Sequence, residues 1–432
     1  MARDLYKDGV DFASLALQSA EFAKFLKPNN QLDFTNPDAV RQLTVSLLKR
    51  DFGLTVDIPE ARLCPPIPNR LIYIIWLQDL LDTTGDGYRD AYDPDRVVTG
   101  LDIGTGCCSI YPLLGVKSRS NWNFVASDID DDNIKTSTQT IQANNLDSRI
   151  RIVKTSPDGD LISLGTLGVE RLDFTMCNPP FYASQDEMVV SAEEKDRPPF
   201  SACTGAEVEM VTPGGEVSFV SRMITESIAL RDKVLWYTSM LGKLSSVSAL
   251  IEKLNDLGNT NYAVTEFVQG NKTRRWAIAW SWTDRRPAVS VARGIQSPNY
   301  PKHLLPFPSE YTFTLSGRSI DDISSAVNAE FSSLHIDWTW HSGLTLGIGF
   351  AATNVWSRQY RRMMKLSPNA ASGSEVDPDT AALGFRVQLA MEPSAGETGE
   401  RSVKVLIRWL KGMDSVLFES FCGMVKRKLE GR

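Results

Sequence analysis

The sequence predicts an α/β protein with a doubly wound, Rossmann-like first domain and a smaller α+β second domain. Three observations predict the first domain. An apolar strand runs into the glycine turn at residues 102–106, and a second apolar strand about twenty residues later ends at Asp128. A third strand, at 172–177, alternates apolar and polar residues and ends in Asn-Pro-Pro-Phe at 178–181. The later strand pattern completes a seven-stranded mixed sheet.

The glycine turn has the form of a first βα turn that binds a cofactor. Glycines such as Gly104 let the backbone approach a ligand, and the N-terminus of the following helix faces it. Asp128, at the end of the next strand, is placed to bind the two ribose hydroxyls of an adenosine-containing cofactor. A nicotinamide cofactor fits these two features equally well.

The tetrapeptide Asn178, Pro179, Pro180 and Phe181 favours S-adenosylmethionine as the cofactor and methylation of a planar amine as the reaction. The lone pair of an adenine amine is delocalised into the ring, so the amine must be held before it attacks. The Asn178 side-chain oxygen accepts one N–H, and the Pro179 carbonyl accepts the other. The prolines keep this backbone extended, and Phe181 stacks on the base. The structural alternative is a proline-rich turn after a core strand.

Composition narrows the chemistry further. The chain has 432 residues, enough for two or three domains, and a net charge of −7, so any RNA contact must come from local basic patches. Six cysteines without CxxC pairs predict a reducing compartment and no structural metal. The three histidines all lie beyond residue 300, which excludes a histidine base in the first two-thirds of the chain. Neither a signal peptide nor a membrane span is expected.

The pattern divides the chain into four parts. Residues 1–35 are predicted to form an N-terminal RNA-binding arm, and residues 36–285 a class I, S-adenosylmethionine-dependent methyltransferase domain. Residues 286–308, rich in proline and without periodicity, form a linker. Residues 309–432 form the second, α+β domain, because strand and helix patterns restart there. The long connection 182–215 is predicted to be a substrate loop.

Basic residues mark three candidate RNA contacts. The first is the arm, with Arg3 and Lys7, for which an ordinary amphipathic segment is the alternative. The second is the turn of a predicted hairpin, with Lys272, Arg274 and Arg275, for which a solvated tip is the alternative. The third is a pair of clusters in the second domain, whose members are Arg358, Arg361, Arg362 and Lys365, and Lys426, Arg427 and Lys428. Each cluster ends a helix, where the helix dipole is a sufficient alternative explanation.

Several segments resemble the methyltransferase-like enzymes that make N6-methyladenosine in U6 small nuclear RNA. The matching segments are 6–8, 12–13, 52–54, 57–59, 102–106, 110–115, 177–181, 240–243 and 275–277. The resemblance spans about residues 1–285. The second domain more loosely resembles the vertebrate-type C-terminal region of that family, a kinase-associated-1-like fold that binds the U6 internal stem-loop, and the chain is placed as a fungal-type member.

The resemblance implies roles for individual residues. The cofactor-site residues are Arg70, Gly104, Cys108, Asp128, Asp160 and Asn178, and Arg70 is expected to pair with the methionine carboxylate. The tetrapeptide holds the target adenine, and Arg3, Lys7, Lys243 and Arg275 contact RNA. Three positions depart from the family. Cys108 replaces a serine, Asp128 replaces a glutamate, and Asp160 stands where a threonine is expected, which leaves the adenine-side contact open.

The predicted reaction is direct, in-line methyl transfer from S-adenosylmethionine to an unpaired adenosine of structured U6 RNA, without a general base. The predicted location is the nucleus, with the cytoplasm as a second compartment. Two alternatives remain. A protein-glutamine methyltransferase uses the same tetrapeptide, although the basic hairpin and the second domain argue against it. A non-catalytic RNA-binding protein that keeps a cofactor pocket is the other.

Overall fold

The computed structural model describes residues 4–184, 207–269, 273–366, 376–392 and 402–431. They form two compact units. Unit 1 comprises residues 1–81, 92–283 and 294–305, and unit 2 comprises residues 82–91, 284–293 and 306–432. The chain therefore passes from one unit to the other more than once.

The described α-helices are α1 (Phe12–Gln18), α2 (Ala20–Ala23), α3 (Pro37–Phe52), α4 (Ile67–Asp82), α5 (Ile110–Ser118), α6 (Asp131–Ala143), α7 (Leu164–Leu167), α8 (Glu207–Met210), α9 (Gly215–Leu230), α10 (Leu244–Asp256), α11 (Val289–Ala292), α12 (Ile320–Ser332), α13 (Arg358–Leu366) and α14 (Ser415–Leu429). Short 3-10 turns occur at Arg231–Lys233, Lys302–Leu304 and Ser342–Leu344. Among these described helices, none has the length and apolar character that crossing a bilayer requires.

The described strands are β1 (Val98–Ile103), β2 (Trp122–Asp128), β3 (Ile150–Lys154), β4 (Leu172–Cys177), β5 (Val234–Leu241), β6 (Tyr262–Gln269), β7 (Thr273–Trp280), β8 (Arg293–Gly294), β9 (Glu310–Ser316), β10 (Asp337–His341), β11 (Leu346–Ala351), β12 (Leu383–Glu392) and β13 (Ser402–Lys411).

The first sheet confirms the predicted α/β class. Its strand order is β3-β2-β1-β4-β5-β7-β6-β8. Strands β1 to β5 pair in parallel, whereas β7 is antiparallel to both β5 and β6. The seven expected strands are present, and the two-residue strand β8 adds an eighth at one edge.

Strand register brings the predicted motifs to one place. The chain runs outward from β1 to β3 and then crosses back to β4, so the switch point of the sheet lies between β1 and β4. Ile103 pairs with Ser127 of β2 and with Cys177 of β4. Because these are the last or next-to-last residues of parallel strands, Gly104, Asp128 and Asn178 emerge at the same edge.

Local chemistry sets the ends of α3. The Asn36 side chain accepts hydrogen bonds from the amides of Asp38 and Ala39, and Pro37 occupies the first turn. The helix ends at Gly53, whose φ of 62° lies in the left-handed region.

The segment predicted as a linker contains ordered structure. Residues 294–305 belong to unit 1, and Tyr300 and Leu304 lie in its hydrophobic core. The Tyr262 hydroxyl donates to the Leu304 carbonyl, at 3.4 Å. Two apolar side chains at a four-residue spacing gave too little periodicity to predict this packing.

Unit 2 is a five-stranded antiparallel sheet in the order β10-β11-β12-β13-β9, with α12 and α14 contributing to one core. Phe331 of α12, Phe385 of β12 and Phe421 of α14 are fully buried and contact one another. Helix α12 begins with a capping box between Ser319 and Asp322. The predicted α+β class of this part is therefore confirmed.

The loop 82–91 belongs to unit 2, and one carboxylate in it forms ion pairs with two buried arginines of that unit. Asp90 pairs with Arg386, and one of its oxygens lies 3.6 Å from Arg408 Nε. Arg408 is 1% exposed and also lies 3.8 Å from Glu310. Burial lowers the pKa of Arg408 to about 10, and the charges of Asp90 and Glu310 oppose that change.

Asp90→Asn is expected to lower the free energy of unfolding of unit 2 by about 3–5 kcal/mol, because it leaves a buried cation without its counterion. Chemical denaturation followed by tryptophan fluorescence measures this. Asp86→Asn is the matched control in the same loop, since Asp86 pairs with Arg285 but is 96% exposed. Equal effects of the two substitutions would show that burial of the Asp90 pair is not what matters.

Candidate active site

A cavity of about 590 Å³ lies at the carboxyl ends of β1, β2 and β4. Its lining contains all the predicted cofactor residues, which are Arg70, Gly104, Cys108, Asp128, Asp160 and Asn178. Pro180 of the tetrapeptide lines it as well. The strand register described above is the reason that residues so far apart in the chain meet here.

The glycine turn has a backbone that other residues rarely adopt. Gly104 and Gly106 have φ values of 71° and 69°. The amides of Gly104 and Thr105 donate to the Ser127 carbonyl, at 2.9 and 3.0 Å. The turn is thereby fixed against the end of β2, and α5 begins shortly after it.

Asp128 is held by the backbone around it. One carboxylate oxygen accepts the Gly106 amide at 2.9 Å, and the other accepts the Asp130 amide at 3.0 Å. Asn133 Nδ2 also donates to the second of these oxygens, at 3.5 Å, whereas the oxygen bound to the Gly106 amide keeps a lone pair for a ligand hydroxyl. A rigid, buried carboxylate on the cavity wall suits the predicted ribose contact.

Arg70 is a buried cation with neutral partners. It is 8% exposed, and its Nη1 donates to the Tyr111 hydroxyl at 2.9 Å and contacts Met240 Sδ at 3.7 Å. Within the described part of the chain it forms no ion pair. A buried charge without a counterion is costly, so this wall of the cavity favours an anionic group such as a carboxylate.

Cys108 and Asp160 lie in different environments. Cys108 is buried, and hydrogen bonding to Cys107 together with burial raises the pKa of its thiol. Asp160 is exposed, at the rim of the cavity. The neighbouring carbonyl of Gly159 accepts a hydrogen bond from Arg222, which also lines the cavity.

Asn178 presents an unused acceptor. Its side-chain oxygen is buried, and no described residue donates a hydrogen bond to it. A buried polar atom without a partner is destabilising by about 1–3 kcal/mol, and such atoms are rare in proteins. Other buried atoms of the described residues also have no partner, so the feature that distinguishes Asn178 is its position on the cavity wall, where a ligand N–H can reach its oxygen.

Phe181 lies beside the cavity between two other segments. Its half-buried ring contacts Gly242, at which an added Cβ would lie 3.0 Å from Phe181 Cδ1. The guanidinium of Arg275 lies over the same ring, 5.5 Å from its centroid. Pro179 is buried.

The predicted RNA contacts have different positions. Arg275 and the exposed residue Lys243 flank the Phe181 region, whereas Arg274 is exposed and pairs with Glu266. Lys7 is exposed, and none of its described contacts reaches the cavity. Arg3 and Lys272 lie outside the described residues, as do positions 185–206 of the predicted substrate loop.

Two functional candidates on α9 were missed. Glu216 is 3% exposed and accepts backbone N–H groups next to Phe181, and Glu226 does the same beside Asp160. The partners lie 26 and about 65 residues away in sequence, so no local pattern reveals them. Among the described residues, no group of His, Cys, Asp or Glu is suited to hold a metal ion.

Asp102 beneath the turn is fully buried. Burial raises its pKa from 3.8 to about 7, and the charge of Asp128 adds to this. A hydrogen bond from Thr105 at 2.8 Å and the charge of Arg70 act in the opposite direction.

Because the folded pKa of Asp102 is above the unfolded one, its contribution to stability is greatest below pH 4 and is lost as the pH rises toward 7. Asp102→Asn should remove this loss, so the variant should gain stability relative to the parent protein between pH 4 and 7. Urea unfolding across that range measures the difference. A difference independent of pH would contradict the assignment.

Comparison with known proteins adds three findings. The model of an RNA methyltransferase family matches residues 1–284. The U6 small nuclear RNA (adenine-(43)-N(6))-methyltransferase of Schizosaccharomyces pombe is 36% identical over 401 residues, which are 93% of this chain and 96% of that protein. The human RNA N(6)-adenosine-methyltransferase METTL16 is 42% identical over 293 residues, 66% of this chain and 50% of that enzyme. The chain thus spans about half the length of its human relative.

Solved structures give the same result for the first part of the chain. The human METTL16 catalytic domain in complex with MAT2A 3'UTR hairpin 1 is similar with a TM-score of 0.57 and 38% identity, covering 66% of this chain and 96% of that one. The N-terminal domain of human METTL16 in complex with SAH has a TM-score of 0.53 and 38% identity, covering 66% and 99%.

Proposed function

Because the chain belongs to this RNA methyltransferase family, we propose that it is the adenine-N6 methyltransferase of U6 small nuclear RNA, with S-adenosylmethionine as methyl donor. The single observation that carries the reaction type is the buried, unpartnered oxygen of Asn178 at the switch point of the sheet. The similarity to the fission yeast enzyme, which extends over nearly the whole of both chains, supports the U6 substrate.

The residues of the cavity fit S-adenosylmethionine, which supplies a methyl group on a positively charged sulfur. Arg70 would bind the methionine carboxylate, which provides the counterion that this guanidinium lacks. Asp128 would accept the ribose hydroxyls. The positive-φ turn at Gly104 and Gly106 leaves backbone rather than side chains facing this space.

The tetrapeptide would position the target amine. Asn178 accepts one N–H of adenine N6, and the carbonyl of Pro179 accepts the other, so that the nitrogen lone pair is directed toward the methyl group. Phe181 stacks on the base. The amine becomes strongly acidic only as its new bond forms, so no base is required before attack, and the methylated nitrogen would then release one proton to water. Positioning and electrostatics therefore supply most of the catalysis.

RNA is favoured over protein as substrate. Arg275 lies over the Phe181 ring, and Lys243 follows Gly242, so two cations flank the proposed base-binding side. The family model and the named relatives are those of RNA enzymes, and the glutamine-methyltransferase alternative finds no support among them.

Asn178→Ala is expected to abolish methyl transfer to a U6 transcript, with a loss of at least about a hundredfold, because the amine is no longer held. Phe181→Ala should act similarly through lost stacking. Both variants should bind S-adenosylhomocysteine nearly as tightly as the parent. Incorporation of labelled methyl groups and calorimetry measure the two properties. Parallel loss of activity and cofactor binding would count against these roles.

The finer identity belongs to the same proposal. The chain would be a fungal-type member of the family that acts in the nucleus, where U6 RNA is assembled into spliceosomes. A fluorescent fusion protein excluded from the nucleus would refute the location.

Unit 2 would be the kinase-associated-1-like, RNA-binding part. Two helices on an antiparallel sheet agree with that fold. Residues from both predicted basic clusters line one cavity of about 800 Å³, and they are Arg358, Arg361, Arg427 and Lys428. Lys428 also pairs with Glu330, at 3.1 Å. A concave basic surface suits the phosphates of an RNA stem.

The double substitution Arg361→Glu, Arg427→Glu in the full chain should weaken binding of the U6 stem-loop. In a plot of the logarithm of the binding constant against the logarithm of the salt concentration, the slope should become shallower by about one for each lost phosphate contact. Methylation of a short unpaired substrate should change little. The double substitution Arg89→Glu, Lys404→Glu, at two exposed cations of unit 2 that do not line the cavity, is the charge-matched control. Equal weakening by the control would indicate a general charge effect and refute a specific surface.

A further inference from the structure

We propose that α9 carries two positioning residues with separate duties: Glu216 holds the side of the active site that receives the target base, and Glu226 holds the side that receives the cofactor. The proposal rests on the proposed function and specifies how that site is kept in shape. Both glutamates use the same device, in which one carboxylate accepts the N–H groups of two consecutive residues in a distant loop.

Glu216 lies in the first turn of α9 and binds the loop that follows β5. Its Oε2 accepts the Gly242 amide at 2.6 Å, and its Oε1 accepts the Lys243 amide at 3.1 Å. The residue is only 3% exposed. Hydrogen bonds to an ionised acceptor that is shielded from water are among the stronger ones in proteins. The loop after β5 is therefore tied to the start of α9.

This loop forms one wall beside Phe181. A Cβ built on Gly242 would lie 3.0 Å from Phe181 Cδ1 and 3.3 Å from Glu216 Oε2, so the backbone fills the space between the aromatic ring and the carboxylate. The first residue of α9 also lies close to the tetrapeptide, since a Cβ on Gly215 would lie 3.4 Å from the Phe181 carbonyl. The start of α9 thus supports the tetrapeptide from two directions.

Glu226 lies near the other end of the same helix and binds the segment after β3. Its Oε1 accepts the Leu161 amide at 3.1 Å, and its Oε2 accepts the Ile162 amide at 3.0 Å. Arg222, 3.0 Å from Glu226, also donates to the Gly159 carbonyl. Residues 159–162 are therefore held at both ends around Asp160, and Asp160, Leu161 and Arg222 all line the cofactor cavity.

Each glutamate with its two backbone N–H partners is called a clamp here. The helix between the glutamates joins the two clamps rigidly. Ten residues separate them, which is about 15 Å along an α-helix. Val220, Met223 and Ile224 are fully buried in the core of unit 1. Because this core fixes the helix, the two loops are held at a set separation, as in-line transfer between cofactor and base requires.

Replacement by glutamine changes this chemistry with little change of shape. A carboxylate offers two acceptor oxygens to two N–H groups. A glutamine offers one oxygen and one NH2 group, and the NH2 group faces an N–H donor. One clamp bond is lost and a donor-donor contact replaces it, while packing is nearly unchanged.

The test compares Glu216→Gln with Glu226→Gln in the full chain. Each variant is the control for the other, because both lie on α9 and weaken the hold of one carboxylate on two consecutive amides; Glu226→Gln in addition removes the charge that pairs with Arg222. Glu216→Gln should lower kcat on U6 RNA at saturating S-adenosylmethionine by about a hundredfold, with unchanged affinity for S-adenosylhomocysteine. Glu226→Gln should weaken S-adenosylhomocysteine binding about tenfold, with kcat at saturating cofactor much less affected.

A merely structural role gives a different result. If the glutamates only stabilise the fold, both variants should lower the melting temperature and change both parameters to the same degree, or neither parameter at all, and either outcome overturns the proposal. If Glu216→Gln does not fold, Glu216→Asp replaces it. The aspartate keeps the charge but is one methylene too short to reach the amides of both Gly242 and Lys243, so kcat should fall and S-adenosylhomocysteine affinity should stay the same. Normal kcat in that variant overturns the assignment of Glu216.

Failure of the proposed function is separable from failure of this inference. Calorimetry with S-adenosylhomocysteine needs no RNA substrate. If the parent protein bound S-adenosylhomocysteine but did not methylate U6 RNA, the proposed substrate would be wrong. The Glu226→Gln measurement would still decide the cofactor clamp.

Discussion

The parallel pairing of β1 with β4 is the constraint on which the site depends. Ile103 lies opposite Cys177, so the glycine turn and Asn178 must leave the sheet side by side. A shift of one residue would turn the side chains of β4 to the opposite face of the sheet. The buried oxygen of Asn178 then has a free acceptor position because the register, and not a neighbouring side chain, fixes where it lies. The cavity follows from strand order and register more than from any single contact.

The sequence could predict those features that a few neighbouring residues encode. A glycine turn after an apolar strand, an acid at the end of the next strand and Asn-Pro-Pro-Phe after a third are each local, and parallel topology alone brings their ends together. The ends of α3 have equally local causes, which are the side-chain cap at Asn36 and the left-handed residue Gly53. For such residues the physical cause lies within a few positions of the residue itself.

The features that could not be predicted depend on partners distant in the chain. The loop 82–91 is rich in glycine and aspartate and has no periodicity, yet Asp90 is the counterion of Arg386 and Arg408, about three hundred residues later. Glu226 looks like an exposed helical acid but binds two amides near the cofactor cavity. In both cases a charged side chain pairs with buried groups that lie far away in the sequence. Which groups are buried cannot be read from the sequence before the fold is known.

Burial also explains how thiols can line a cavity built for an alkylating cofactor. A thiolate is a far better nucleophile than an adenine amine, so an ionised cysteine there would compete for the methyl group. Hydrogen bonding to Cys107 and burial raise the pKa of Cys108, and burial with the charge of Asp102 raises that of Cys177. Both thiols therefore stay protonated at neutral pH. The raised pKa values of Cys108 and Cys177 therefore limit competition from these two thiols for the methyl group, while the unpaired oxygen of Asn178 remains available to the target amine.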